Sequence, residues 1–328
     1  MSKANDRKIG RIISRHTLEI VLLALIVFCI FFAPGFSRIG NLVGILRATA
    51  ITGVISMGMT MVIIGGEIDL SVGSSIALSS VIVTWVTGFL LSRFGLAMEI
   101  GVIIAILAAM LLGLLIGLLN GFIRVKFNMP SFIITLGMLS VLFGISAIIS
   151  GGFPLTTVPG WYSWIGAGTI GVIPVPAIWL LIVFAGVFTI MNYTKLGREI
   201  YAVGGNPEAA RLSGINVAKV KIIILMTVQG LAAFAGIILS SQVRAGSSTF
   251  GRGNEIDVIS AVIVGGASLS GGMGKAWGTF VGIIFLGVIM NALTLFGVDD
   301  YVRHVVRGCL ILGAVLLNTI QQERLKKT

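Results

Sequence analysis

Charged residues are scarce in this chain of 328 residues. Asp, Glu, Lys and Arg together make up 11% of the sequence, whereas hydrophobic residues make up 56%. Because a soluble domain carries about 25% charged residues, this scarcity excludes a chain that presents water-facing surface on all sides. The apolar segments are hydrophobic on every face and do not alternate as membrane strands do. We therefore predict an all-α polytopic membrane protein.

Cysteine and histidine are equally rare, with two of each. Cys29 and Cys309 lie inside apolar runs, where a cysteine is typically a small core residue and not part of a disulfide or metal pair. His16 and His304 have no serine, cysteine or carboxylate companion at a catalytic spacing. The sequence thus predicts that the chain is not an enzyme and that it holds no metal and no cofactor of its own.

Basic residues are in excess, giving a net charge of +11. They cluster in short loops and tails, as the positive-inside rule produces, and not in a surface suited to nucleic acid. With the N-terminus placed inside, 16 of the 23 Lys and Arg residues fall in inside segments and 7 in outside segments. We predict cytoplasmic termini, with the tails at 1–17 and 321–328, an extracytoplasmic loop at 151–176 and a cytoplasmic loop at 192–221, all within one transmembrane domain.

Roughly 20 apolar residues are needed to cross a bilayer as a helix. Two of the apolar segments, 177–191 and 256–267, are short for this purpose, and the second could be a partial helix. The sequence predicts about ten spans, at 18–32, 45–64, 74–91, 100–122, 131–149, 177–191, 222–242, 256–267, 277–296 and 302–320.

Two stretches of sequence resemble each other weakly. "GEIDLSVGSSIAL" (66–78) is similar to "NEIDVISAVIV" (254–264), and each opens a helical segment. A repeat of five spans would be inverted in the membrane, as in many transporters, so two inverted halves are one hypothesis. Chance similarity between two helix starts is the alternative. Asn254 is a natural N-cap, and acidic Glu255 and Asp257 suit a helix N-terminus.

Polar side chains at membrane depth are costly and are usually functional. "GGEIDLSVG" (65–73) places Glu67, Asp69 and Ser71 between two apolar runs, and Asn120 and Asn291 lie near the ends of other runs. All five are candidates for lining or gating a pathway. The alternatives remain open: Asp69 or Ser71 caps the next helix, and the asparagines join neighbouring helices through hydrogen bonds.

A polar stretch, "GGNPEAARLSG" (204–214), interrupts the apolar chain. Asn206 is a favoured N-cap, Pro207 suits the first helical position, Glu208 favours the positive helix end, and Gly214 stands where a C-cap glycine belongs. These residues predict a helix of about two turns, which is too short to be stable alone in water.

Such a helix needs packing partners. The slim side chains of Ala209, Ala210 and Leu212 would suit a groove on another protein. A plain connector helix on the membrane surface is the alternative.

Several motifs, taken together, resemble one family. "EAARLSG" (208–214), within "LGREIYAVGGNPEAARLSGINVAKVKI" (196–222), looks like the cytoplasmic loop of permease subunits of bacterial ABC importers, the ribose-type sugar permeases in particular. "GGEIDLSVG", "NMPSFIITLG" (128–137), "DVISAVIVGGASLSGGMG" (257–274) and "VRGCLIL" (306–312) are similar to the same family in the same order. The Leu-Pro that ends this loop in many such permeases is absent, since Val220, Lys221 and Ile222 continue directly into the next span.

The resemblance implies a permease of the bacterial inner membrane that forms the pathway for a pentose or hexose. It implies an ABC-type ATPase partner that binds ATP and Mg²⁺, a periplasmic or lipid-anchored sugar-binding protein, and a second permease copy, identical or different. "LSGG" (269–272) resembles an ATPase signature, but the sequence contains no nucleotide-binding domain. We interpret it as a glycine-rich turn.

The same resemblance makes the polar stretch a coupling helix, which transmits the movement of the ATPase to the spans. In that interpretation Arg211 pairs with an acidic ATPase residue. A different hypothesis is an ion-coupled secondary transporter in which Glu67 and Asp69 carry the ion. The predicted coupling residues are Gly205, Asn206, Pro207, Glu208, Ala209, Ala210, Arg211, Leu212 and Gly214.

Overall fold

Long apolar helices form most of the computed structural model, which describes residues 17–326. The predicted tail at 1–17 lies outside the described residues except for Thr17, as do the last two residues of the predicted tail at 321–328. Within the described range the helices are α1 (Thr17–Phe32), α2 (Ile39–Ile64), α3 (Val72–Phe94), α4 (Met98–Lys126), α5 (Ser131–Ser150), α6 (Trp164–Ala167), α7 (Val175–Tyr193), α8 (Lys195–Gly205), α9 (Pro207–Leu212), α10 (Val217–Val243), α11 (Asn254–Val264), α12 (Ala276–Leu295) and α13 (Asp300–Lys326).

Seven helices in residues 17–326 are long and apolar enough to cross a membrane, namely α2, α3, α4, α5, α7, α10 and α12. Helix α1 is apolar but has only 16 residues. The prediction of an all-α polytopic membrane protein is confirmed. The segment 256–267 is not a full span: α11 has 11 residues, about 16 Å of helix against a hydrocarbon core of about 30 Å.

Glycine allows the two central helices to pack closely. Gly113, Gly117 and Gly121 recur every four residues along α4 and face α10; a Cβ built on Gly117 would lie 2.5 Å from the Leu225 carbonyl oxygen. Small residues at this spacing let membrane helices approach backbone to backbone. Helix α10 also packs against α2 and α3, so it stands at the centre of the described chain.

The segment predicted as a loop at 151–176 contains short elements. A 3₁₀ turn (Gly160–Ser163) leads into α6, and β1 (Thr169–Ile170) pairs antiparallel with β2 (Ile173–Pro174) before α7 begins. Tyr162 anchors this segment to α10, because its hydroxyl donates to the Ile237 carbonyl at 3.0 Å and lies 2.6 Å from the Ser240 hydroxyl.

The predicted echo between 66–78 and 254–264 is not a structural repeat. The first stretch is extended and then helical, whereas the second is helical from Asn254 to Val264. A different pair matches: "VIIGG" (62–66) and "VIVGG" (262–266) end α2 and α11 in the same turn, with Gly66 at φ +77° and Gly266 at φ +89°. The loop that follows α11 contacts the end of α2, where the Gly272 N–H donates to the Ile64 carbonyl. The two inverted halves stay a prediction.

Candidate functional site

The short polar helix predicted at the middle of the cytoplasmic loop is present as α9. At its start, the Asn206 side-chain oxygen accepts hydrogen bonds from the N–H groups of Glu208 and Ala209, both at 3.0 Å. Pro207 occupies the first helical position. These contacts satisfy N–H groups that a helix start otherwise leaves free.

The end of α9 is equally well defined. Gly214 has φ +82°, a left-handed conformation that glycine adopts at no steric cost. Its N–H donates to the Arg211 carbonyl, and the N–H of Ile215 donates to the Ala210 carbonyl, both at 3.0 Å. This double hydrogen bond is the Schellman motif, which stops the helix after less than two turns.

One face of α9 is free and the other is packed. Leu212 is 84% exposed, while Ala210 is only 4% exposed and belongs to the main apolar core. The expectation that Ala210 contacts another protein is therefore wrong, because its side chain holds α9 against the rest of the chain. Arg211, expected to pair with an ATPase residue, forms an exposed ion pair with Glu208 at 2.9 Å.

Helix α8, which the sequence reasoning missed, carries α9. Thr194 caps its start by accepting from the Gly197 N–H at 3.2 Å. Ile200 and Val203 are fully buried, so α8 lies with its apolar face on the core. Apolar or small residues at 197, 200, 203 and 204 have the helical spacing that would have identified it.

Gly204, near the end of α8, touches the end of α2. A Cβ built on Gly204 would lie 1.7 Å from the Ile64 carbonyl oxygen and 2.7 Å from the Gly272 nitrogen, which leaves no room for a side chain. On the same surface the Tyr201 hydroxyl donates to the Gly274 carbonyl at 2.9 Å. The helix that carries α9 therefore lies directly against the end of α2 and the loop between α11 and α12.

Glu67 follows α2 in the connector to α3 and forms ion pairs with two basic side chains. It is 2% exposed; Arg124 Nε lies 2.9 Å from both carboxylate oxygens, and Lys221 Nζ lies 2.5 Å from Oε1. Burial alone raises the pKa of Glu67, but the hydrogen bonds from Arg124 and Lys221 outweigh burial, so the pKa lies below its ordinary value. The connector is thus joined to α4 and to the start of α10.

The connector itself is extended and alternates between buried and half-buried residues from Glu67 to Ser71, so its backbone needs partners. Ser131 Oγ accepts from the Ile68 N–H, and Thr135 Oγ1 accepts from the Leu70 N–H, both at 3.1 Å. These two hydroxyls lie one turn apart on α5. The distance between them therefore matches the distance between the two N–H groups, which lie two residues apart in the extended connector.

Asp69 anchors a second polar group deeper in the molecule. The Ser71 N–H and hydroxyl donate to Oδ1 at 2.8 and 2.6 Å, and Gln229 Nε2 donates to Oδ2 at 2.8 Å. The Ser75 hydroxyl donates to Gln229 Oε1, and Asn120 Nδ2 donates to the Ser71 hydroxyl at 3.4 Å. Buried polar groups hold one arrangement when all are satisfied, and here only Asn120 Oδ1 lacks a partner.

The structure brings four of the five predicted pathway residues together. Glu67, Asp69, Ser71 and Asn120 form this buried region, each at most 2% exposed. Asn291 lies apart, on α12, where its amide and that of Asn41 on α2 exchange hydrogen bonds at 2.8 and 3.0 Å.

Two residues of this region were missed as site residues, Arg124 and Lys221. Both were counted only as inside charges. Buried charges are usually paired with opposite charges, and this tendency would have directed attention to the basic residues at the neighbouring helix ends.

Known proteins resemble this chain along most of its length. Residues 41–315 match the family model described as "Branched-chain amino acid transport system / permease component". The probable ABC transporter permease protein YphD of Escherichia coli (strain K12) is 40% identical over 320 residues, which cover 96% of this chain and 93% of that protein.

Two further relatives come from the same strain. The ribose import permease protein RbsC is 39% identical, covering 92% of this chain and 93% of that protein. The L-arabinose transport system permease protein AraH is 35% identical, covering 96% and 93%. No solved structure matches this chain significantly.

Proposed function

Because this chain belongs to the family of branched-chain amino acid transport system permease components, we propose that it is the transmembrane subunit of a bacterial ABC importer for a monosaccharide. The names of the relatives, ribose import and L-arabinose transport, support a pentose or hexose as its substrate. ATP and Mg²⁺ are bound by a separate ATPase subunit in this proposal, and the chain itself forms the pathway.

In this proposal α9 is the coupling helix, and the ATPase contacts its free face. Leu212, Ala209 and Pro207 are exposed there and offer the ATPase apolar surface to contact. Glu208 and Arg211 pair with each other and are available to exchange that pairing for partner charges at the rim of the contact.

Movement of α9 passes to the spans through two contacts. Gly204, in the adjoining helix α8, contacts the end of α2. Lys221, at the start of α10, forms an ion pair with Glu67 in the connector between α2 and α3. A displacement of α9 therefore moves α2, α3 and α10 together, since close-packed interiors transmit strain.

The remaining partners and the topology follow the same proposal. Ten helices lie in the inner membrane: α1 and α13 cross it together with the seven long helices, and α11 enters only part of it. Both termini and α9 are cytoplasmic, and the segment containing β1 and β2 is on the outside. A sugar-binding protein docks there, and a second permease copy completes the pathway.

This proposal rests on the exposed face of α9, a helix that is capped at both ends. Leu212→Asp tests it. Burying an aspartate in the contact is expected to weaken ATPase association by about 2 kcal/mol, roughly 30-fold in Kd. The measurements are co-purification of the ATPase and ATP hydrolysis stimulated by sugar and binding protein. Ile170→Asp, at an exposed apolar residue in β1, is the control for co-purification and is expected to leave ATPase binding unchanged. Unchanged ATPase binding by the Leu212→Asp protein would contradict the proposal.

An ion-coupled secondary transporter is not favoured. Both carboxylates assigned to ion carriage in that hypothesis are already bound, Glu67 by Arg124 and Lys221 and Asp69 by Ser71 and Gln229. Transport that continues without the ATPase and stops when the ion gradient is removed would reverse this conclusion.

A further inference from the structure

A cavity of about 410 Å³ lies at the end of the molecule opposite to α9. It is bounded by the first half of α2, the start of α11, the second half of α12 and the start of α13. Thr49 in its wall is fifteen residues from Ile64 along α2, which corresponds to about 22 Å. If α9 is cytoplasmic, the cavity lies toward the outside. Its volume falls within the roughly 300–1,000 Å³ of small-molecule sites.

The acidic and basic side chains in the walls of this cavity form ion pairs with each other. Arg307 Nε lies 2.9 Å from Asp257 Oδ1, and Arg303 pairs with Asp300. Ionisable residues at membrane depth face the protein interior or a water-filled cavity, and these ion pairs add no net charge that would attract an ion. The cavity therefore suits a neutral solute.

Hydrogen-bonding groups are nevertheless available. Arg303 Nε is buried and has no hydrogen-bond partner, although Nη1 of the same side chain donates to the Thr294 hydroxyl at 2.7 Å. The Asn291 amide is also in the wall; its two hydrogen bonds with Asn41 leave one N–H and one oxygen lone pair for a ligand. A buried donor without a partner is costly, and a hydroxyl-rich ligand would supply the missing acceptor.

We propose that this cavity is a binding site for a neutral monosaccharide on the outer side of the permease. The proposal rests on the function proposed above, because it takes the substrate class and the orientation from it. The sugar hydroxyls contact Arg303 and Asn291, and the ion pair of Asp257 with Arg307 closes the inner wall.

Cysteine protection tests the site directly. Ala48 lines the cavity and is exposed, so Ala48→Cys introduces a thiol with little change in size. The full-length chain also carries Cys309→Ser, because Cys309 is an exposed thiol whereas Cys29 is buried. A small charged methanethiosulfonate reagent labels the thiol in detergent micelles, with and without D-ribose or L-arabinose. At a sugar concentration of about twice its Kd, occupancy slows labelling about threefold.

Ala97→Cys is the matched control, since Ala97 is exposed at the turn before α4 and does not line the cavity. Sugar is expected to leave its labelling rate unchanged. Equal rates with and without sugar at Ala48→Cys would overturn the proposal, as would no labelling at all, which would show that water does not enter. Protection by gluconate equal to that by ribose would overturn the assignment to neutral ligands. Labelling already blocked in the assembled complex without sugar would also overturn the proposal, because another subunit would then cover the cavity.

A second variant separates binding from folding. Arg303→Met is expected to abolish the sugar protection of the Ala48→Cys protein while leaving labelling at Ala97→Cys unchanged. Protection that persists would remove Arg303 from the site; if Thr294→Val also left protection intact, the cavity would not be the binding site. The labelling needs neither ATPase nor ATP. Its result can therefore be interpreted even if α9 does not bind an ATPase.

Discussion

The tripeptide Glu-Ile-Asp occurs at 67–69 and again at 255–257, and its two copies have different structures. The first is extended and follows Gly66, whose φ of +77° turns the chain away from α2. The second lies in the first turn of α11 and follows Gly253, whose φ of +83° leads into a helix. The residues before the tripeptide and the helices around it therefore decide its conformation.

The acidic side chains differ even more in their surroundings. Glu67 is bound by two cations and Asp69 by three hydrogen bonds, so the first copy is fully satisfied and buried. In the second copy, Glu255 Oε2 has no hydrogen-bond partner, and Asp257 makes one partly exposed ion pair with Arg307. The first copy holds helices together, and Asp257 of the second copy borders the cavity.

The largest expected difference is between the two glutamates. Glu67→Gln keeps the side-chain size but leaves Arg124 and Lys221 without their carboxylate. Removing one partner of a buried pair costs about 3–5 kcal/mol. We expect a large loss of thermal stability in detergent, whereas Glu255→Gln, which leaves none of the described basic residues unpaired, is expected to change stability by less than about 1 kcal/mol.

Acid is expected to weaken the same contact. Since the folded pKa of Glu67 is lowered, its stabilisation is present above the unfolded pKa of about 4.3 and is lost as the pH falls through the folded value. Wild type and Glu67→Gln should therefore converge in stability at low pH. Equal stability of the two glutamate variants at pH 7 would show that the copies do not differ in this way.

A smaller effect is expected at Asp69. Asp69→Asn turns one acceptor into a donor that faces the Gln229 amide nitrogen, and a buried donor without a partner costs about 1–3 kcal/mol. The double variant Asp69→Asn with Gln229→Glu restores an acceptor opposite the new donor and should recover part of that loss. The measurement is a double-mutant cycle of thermal stability. Additive losses from the two substitutions would contradict the direct contact.

The features set by local sequence could be predicted. The capping residues Asn206 and Gly214 lie within a few residues of α9, so its bounds followed from them. The partial helix α11 was suspected because its apolar segment is short. Family resemblance supplied the role proposed for the loop, which no local pattern could provide.

Contacts between distant segments could not be predicted in the same way. Arg124 is 57 residues from Glu67, and Gln229 is 160 residues from Asp69, so no periodicity connects them. The same holds for Gly204, whose need for glycine comes entirely from the backbone of α2. Ala210 was misassigned because α9 is shorter than two turns. In so short a helix the sequence pattern does not show which of two neighbouring alanines is buried.

The smallest effect is expected at Asp257, and its salt dependence sharpens the comparison. The side chains of Asp257 and Arg307 are 22% and 29% exposed, so Asp257→Asn is expected to reduce stability by only about 1 kcal/mol. Salt screens partly exposed charges, since the Debye length falls from about 10 Å at 0.1 M to about 3 Å at 1 M. The stability difference between wild type and Asp257→Asn should therefore shrink as NaCl is raised, when thermal unfolding is measured at both concentrations.

The Asp69→Asn protein is the matched control, because Asp69 is fully buried and its difference from wild type should persist. If the two differences respond equally to salt, then Asp257 is as shielded as Asp69, and a water-filled cavity beside it is excluded.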